Sequence, residues 1–221
     1  MWAVVPVKDM VGAKQRLSPV LSAEERRNLY NAMLRDVLRA LANTPALDGI
    51  ALITKDAEAE LLAAEYGATI IPEAENSGQT AAVAYGISQL MALGVETILQ
   101  IPGDVPLVTP AEIAQVIEAH LPAPAMTIVP ARDQQGSNCI ICSPPDSVAL
   151  RFGDNSFFPH LEVARNAGIA PTIVPLPGVG LDIDNAADLE ALLARPAETR
   201  SHAYLHESGI AARLSMERKS A

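Results

Sequence analysis

Short apolar runs alternating with helix-length amphipathic segments constrain this chain more than any other feature. Met1 to Val7, Ile50 to Thr54, Ala68 to Ile71 and Thr97 to Ile101 are brief, strongly apolar stretches that suit buried strands. Helices are predicted between them. Ser22-Ala-Glu-Glu25 is a capping-box pattern, in which the Ser hydroxyl accepts an orphan backbone N–H and Glu25 reaches back to the cap. It starts a helix over Ala23 to Ala42, with Leu29, Met33, Val37 and Leu41 on one face. Ala57 to Tyr66, ended by Gly67, and Thr80 to Leu93 follow as helices. Thr109-Pro-Ala-Glu112 opens another, with Thr109 as N-cap and Pro110 at the first helical position. Strands spaced by such helices imply right-handed βαβ units and a mostly parallel sheet, an α/β fold.

Between about residues 124 and 180 the strict alternation breaks. Met126 to Pro130 and Asn138 to Ile141 are predicted strands around a Gly-containing loop, which a small antiparallel extension would accommodate. Asn155 to Ala167 is a helix, Thr172 to Leu176 a strand and Asn185 to Leu193 a closing helix. Residues 1–194 thus form one domain, and residues 195–221 a polar C-terminal tail or helix, with Ala203 to Met216 able to form an amphipathic helix. The chain is 49% hydrophobic but only 4% aromatic, so its core is built mainly from Ala, Val, Leu and Ile. That suits helices on a parallel sheet and disfavours a β-sandwich.

A formal net charge of -10 and the lack of a basic run disfavour a polynucleotide partner. Cys139 and Cys142, three apart on an expected strand, would point to opposite faces as reduced, buried thiols. His202 and His206 share a helical face, but no third ligand lies near them in sequence, so they are not read as a metal site. The first residues do not resemble a signal peptide, and no apolar segment approaches the ~20 residues of a spanning helix. The expectation is a soluble, cytoplasmic protein with no membrane partner.

Four stretches could carry chemistry. In Leu99-Gln-Ile-Pro-Gly-Asp-Val-Pro-Leu107 an apolar strand ends directly on Asp104. The carboxyl ends of strands form the ligand crevice of open α/β sheets, where such a carboxylate can hold a hard cation. A turn Asp helping to cap the next helix would have the same sequence. In Leu181-Asp-Ile-Asp-Asn185, Asp182 and Asp184 would lie on one side of an extended strand, where their repulsion invites a cation. Helix capping by Asp184 or Asn185 is the other reading, and one Asp could cap while the other ligates. Lys8, Lys14 and Arg16 follow the first strand in a loop that is neither of the familiar Gly-rich phosphate motifs, yet three cations there suit a triphosphate. Gly136-Ser-Asn138 and Arg151-Phe-Gly-Asp-Asn-Ser156 offer N–H and O–H donors for phosphate or carboxylate.

In this order the elements resemble the 2-phospho-L-lactate guanylyltransferase family (CofC/FbiD-like). The resemblance rests on Pro6-x-Lys8, Ala13-Lys-x-Arg-Leu-Ser-Pro19, Pro102-Gly-Asp-Val-Pro-Leu107, Gly136-Ser-Asn138, Phe152-Gly-x-x-Ser-Phe157 and Leu181-Asp-Ile-Asp184. It implies a three-layer, nucleotide-diphospho-sugar transferase-like (Rossmann-like) fold. It also implies that Asp104, with Asp182 or Asp184, holds magnesium, and that Ser137, Asn138, Gly153 and Ser156 hold a phosphorylated acid. Pro6, Lys8, Lys14, Thr80 and Gly103 would face the nucleotide, with Asp104, Lys14 and Arg16 as the catalytic set. One departure is evident: where family members usually carry Gly-Leu-Asn-x-Ala, this chain reads Ser77-Gly-Gln-Thr-Ala-Ala82, so that Thr80 would cap the helix and offer a hydroxyl.

The implied reaction joins GMP from GTP to phosphoenolpyruvate, 2-phospho-L-lactate or 3-phospho-D-glycerate, with phosphoenolpyruvate favoured. Pyrophosphate leaves, and the product passes to a downstream transferase of coenzyme F-420 biosynthesis; the assembly could be a homodimer. The alternatives are nucleotidyl transfer to molybdopterin or a sugar phosphate, and a non-catalytic nucleotide-binding regulator. The first is disfavoured by the absence of a Gly-rich opening loop.

Overall fold

The structure is a computed structural model, and it describes residues 1–8, 10, 12–72, 78–153 and 155–220, for the last four of these the backbone only. Asp9 and Val11 of the opening loop, Ser77 of the departing motif and Asp154 of the Arg151–Ser156 stretch therefore lie outside the described residues.

Among the described residues, seven strands form one sheet: β1 (Trp2–Pro6), β2 (Gly49–Thr54), β3 (Thr69–Pro72), β4 (Ile98–Gln100), β5 (Ala125–Pro130), β6 (Ser137–Ser143) and β7 (Thr172–Ile173). Their order is β3-β2-β1-β4-β6-β5-β7, and β6 alone runs antiparallel to its neighbours. Alternate residues feed two cores, one on each face. Ala3, Val5, Leu52, Leu99 and Ile141 enter the first, Val4, Ile53, Ile98, Ile128 and Ile140 the second. Cys139 and Cys142 divide between them in the same way, as free thiols whose ionisation burial opposes.

The helices α1 (Ala23–Ala42), α2 (Ala57–Glu65), α4 (Pro110–Glu118) and α6 (Ala186–Leu193) cover the first face. The second is covered by α3 (Gln79–Ala92) and α5 (Phe157–Asn166). α1 has its capping box, with Ser22 and Glu25 reciprocally bonded, and it buries Leu29, Met33, Val37 and Leu41. A cap of this kind contributes roughly 1 kcal/mol.

Three expectations are corrected. The single helix expected over Ala203 to Met216 is instead two, α7 (Arg200–Glu207) and α8 (Ile210–Ser220), because Gly209 takes a positive φ of 77° between them. Asp36 on α1 accepts hydrogen bonds from Arg200 N, Ser201 N and Ser201 Oγ, fastening α7 to the body. β7 stops short of Leu176, since the chain turns back there and Gly180 N–H donates to the Leu176 carbonyl. Residues 181–184 are not a strand; of the two caps expected for α6, Asn185 is the one formed, in a capping box with Asp188, so neither Asp182 nor Asp184 caps it. No described helix is long and apolar enough to cross a membrane.

Candidate active site

β2 and β3 lie on one side of β1 and β4 on the other, so the sheet order switches between β1 and β4. Ligands of open α/β sheets bind outside the carboxyl ends at such a point. Here β1 delivers the loop with Lys8, Lys14 and Arg16, and β4 delivers Pro102-Gly103-Asp104. The reversal of β6 points its start, Ser137 and Asn138, at the same edge. A parallel strand would have put those residues at the opposite end.

Two clefts meet there. The first, about 510 Å³, is lined by Pro6, Lys8, Lys14, Arg16, Tyr30, Gln79, Gly103 and Asp104, among others. The second, about 590 Å³, is lined by Ser137, Asn138, Phe152, Gly153, Ser156 and Asp182, among others. Arg16, Gln79, Pro102, Asp104 and Asp184 border both. Volumes of this size suit small organic ligands. Gly103 has a steric reason: a Cβ there would stand 3.0 Å from Leu34 Cδ1 and 3.1 Å from the Tyr30 hydroxyl on α1.

Lys14 lies at the junction. Its backbone is left-handed (φ 56°), and its Nζ donates to Asp104 Oδ2 at 2.5 Å and Asp184 Oδ1 at 2.7 Å. Burial opposes its charge, but the two carboxylates outweigh burial and raise its pKa. Burial likewise works against the charge of Asp184, yet Lys14 holds its pKa below the ordinary value. Arg16 Nη1 is 3.9 Å from the other Asp184 oxygen. Among the described residues, Asp182 has no such cation. Burial first, then the charge of Asp104, pushes it up to about 6, against a 3.0 Å hydrogen bond from Asn138 Nδ2.

This donor set fits a hard cation. Asp104 Oδ1 is buried and accepts no hydrogen bond, and an ammonium already bridges Asp104 and Asp184. Among the described residues, no group of three or more His, Cys, Asp or Glu side chains is gathered as a metal cluster. The two carboxylates brought together around Lys14 are Asp104 and Asp184, while Asp182 turns to Asn138.

Of the residues expected to bind the nucleotide, the acid or the metal, Thr80 is the one that borders neither cleft. Gly78 is the N-cap of α3, and the Thr80 hydroxyl accepts from Phe152 N at 2.9 Å and approaches its carbonyl at 3.3 Å. It ties α3 to the loop carrying Gly153. Gln79, the other altered position, faces both clefts. Sequence reasoning also missed Glu112, whose carboxylate accepts from Gly178 N and Val179 N and sets the approach to Asp182. It missed His160 as well, which is fully buried behind Ser137. A lone buried His or a helix Glu carries no local signal of such a role.

A three-layer sheet with its crevice at the switch point, a basic loop and paired carboxylates define an α/β nucleotidyltransferase. The fold matches a crystal structure from Desulfovibrio desulfuricans G20 described as a nucleotide-diphospho-sugar transferase, with a TM-score of 0.79 over 96% of this chain and 97% of that one, at 19% identity. The chain belongs to the family described as guanylyl transferase CofC like, whose model matches residues 1–221. It is 35% identical over 210 residues to the phosphoenolpyruvate guanylyltransferase of Conexibacter woesei, covering 95% of this chain and 94% of that protein. It is 31% identical over 205 residues to the 2-phospho-L-lactate guanylyltransferase of Methanothermobacter thermautotrophicus, covering 93% and 89%.

Proposed function

We propose that this protein transfers GMP from GTP to the phosphate of a small phosphorylated carboxylic acid, releasing pyrophosphate. The observation that carries this reading is the shared wall of the two clefts, where Asp104, Asp184 and Arg16 stand between a basic loop and a pocket of hydroxyl and amide donors. The first cleft would take the nucleotide, with Lys8, Lys14 and Arg16 facing its phosphates. The second would take the acid, with Ser137, Asn138, Gly153 and Ser156 as its contacts. An acceptor phosphate oxygen then forms a bond to the α-phosphorus, and the bond to the β-phosphate oxygen breaks, its electrons leaving on pyrophosphate. No covalent enzyme intermediate is needed, so the chain's work is alignment and charge neutralisation. Asp104 and Asp184 would hold magnesium, which supplies charge neutralisation at the phosphates when bound. Lys14 would then turn from the carboxylates toward the phosphates.

Phosphoenolpyruvate is the favoured acceptor, in keeping with the name of the Conexibacter woesei relative. The product, an acid joined to GMP through a diphosphate, is an activated donor for coenzyme F-420 assembly in the cytoplasm. The test is pyrophosphate release from GTP, ATP and CTP with phosphoenolpyruvate, 2-phospho-L-lactate and 3-phospho-D-glycerate, with magnesium present. GTP with phosphoenolpyruvate is expected to dominate. No release with any acid, despite measurable GTP binding, overturns the reading.

A further inference from the structure

His160 belongs to α5, is wholly buried and touches neither ligand cleft. Its ring nevertheless joins one wall of the second cleft, at Ser137, to the loop that leads to Phe152 and Gly153 on another. Nε2 lies 2.9 Å from the backbone N of Arg151, and Nδ1 lies 2.9 Å from Ser137 Oγ. The roles follow from chemistry. A backbone N–H can only donate, so Nε2 accepts and the hydrogen of the neutral ring sits on Nδ1. Nδ1–H therefore donates to Ser137 Oγ. Ser156 Oγ approaches the same oxygen at 3.5 Å, also from the donor side. With its acceptor side taken up by the ring, the Ser137 hydroxyl has its own hydrogen free to point into the cleft it lines.

We infer that His160 is a positioning residue that fixes Ser137 as a hydrogen-bond donor to the acceptor and so makes the second cleft selective for anionic oxygens. This rests on the proposed assignment of that cleft to the phosphorylated acid. A ring able to switch tautomer would let Ser137 accept as readily as donate, and hydroxyl-bearing ligands would then compete. Arg151 N–H prevents the switch. Burial pushes the imidazole down to about 4, so protonation does not disturb the arrangement near neutral pH. Phe152 meets the ring edge-on at 5.3 Å between centroids, so the imidazole also sets the height of the loop leading to Gly153.

Two substitutions separate the halves of the ring. His160→Asn keeps an amide donor near the Nδ1 position for Ser137, while His160→Gln keeps an acceptor near Nε2 for Arg151 N–H. We expect His160→Gln to raise the KM for phosphoenolpyruvate about tenfold, the size of one lost polar bond, with the KM for GTP unchanged. His160→Asn should stay within roughly threefold of the unmodified protein. Adding Ser137→Ala to His160→Gln should cost no more than Ser137→Ala alone, because both act through one hydroxyl. Equal KM values for the Asn and Gln variants, a parallel rise in the KM for GTP, or full additivity with Ser137→Ala would each overturn the inference in favour of simple packing. If either variant does not fold, Ser137→Ala and Ser137→Cys with the unmodified His160 decide it: unchanged KM for the acid in both overturns the inference. Failure of the proposed function itself shows earlier and separately, as no guanylylated product from the unmodified protein with any acid.

Discussion

Ile183 donates its backbone N–H to the carbonyl of Asp104 at 3.1 Å. That bond joins the loop after β4 to the segment bearing Asp182 and Asp184, which enter from distant parts of the chain. The carboxylates of Asp104 and Asp184 consequently meet over Lys14 without any strand pairing between their segments. Their spacing is set by backbone, so side-chain substitutions there test chemistry more than architecture.

Asp104→Asn should reduce kcat by about 10²–10³-fold, the usual scale for losing one preorganised electrostatic contact. Asn is the informative replacement, because Ala would also strip a partner from the buried Lys14. Circular-dichroism melting should show a folded protein, and a variant that is folded and fully active would remove Asp104 from the chemistry.

Lys14→Met removes the ammonium that bridges Asp104 and Asp184. The expected stability loss is about 2 kcal/mol, below the ~3–5 of a wholly buried broken pair because the Asp184 side chain is 40% exposed. Magnesium should raise the melting temperature of this variant more than that of the unmodified protein. Equal magnesium shifts would contradict a cation seat between the two carboxylates.

Thr80→Val removes the hydroxyl that holds Phe152 while keeping the shape of the side chain. The KM for the acid should rise several-fold and the KM for GTP should hold. The opposite pattern in steady-state kinetics would return Thr80 to the nucleotide side, where the motif comparison had put it.

The pH dependence of stability should carry the signature of His160. Its folded pKa is near 4, against 6.5 when free, so the unfolded chain binds the extra proton between those values. The contribution is complete above about pH 6.5 and is lost as pH falls toward 4, amounting to roughly 3 kcal/mol at ~1.36 kcal/mol per unit. Denaturant titrations of the unmodified protein and His160→Gln should converge over this window. Parallel curves would mean that the ring takes up its proton alike in the folded and unfolded chains.

Legibility from sequence followed the range of the interaction. The bounds of α1 and the start of α4 rest on caps within four residues, and they stand where Ser22 and Thr109 predicted them. Segments whose fate is decided by remote partners were harder. Val174 still pairs with Ile128, but the chain then turns under the control of Glu112, which no local pattern reveals. Asp104 could be placed because strand ends converge on one edge of an α/β sheet, whereas Pro6, Gly103, Ser137 and Gly153, which also line the clefts, came from the family resemblance. Thr80 could not, since its hydroxyl is claimed by Phe152, far away in sequence.

The clasp on Asp36 bears on how the chain reaches this state. α1 is made early, but the backbone N–H groups that satisfy its buried carboxylate belong to Arg200 and Ser201. Arg213 adds a two-pronged contact to Glu25 near the start of the same helix. During synthesis the Asp36 face of α1 therefore stays open to water until residues 200 and 201 have been made and α7 docks. A translation product interrupted before α7 would keep that face open to chaperones and proteases.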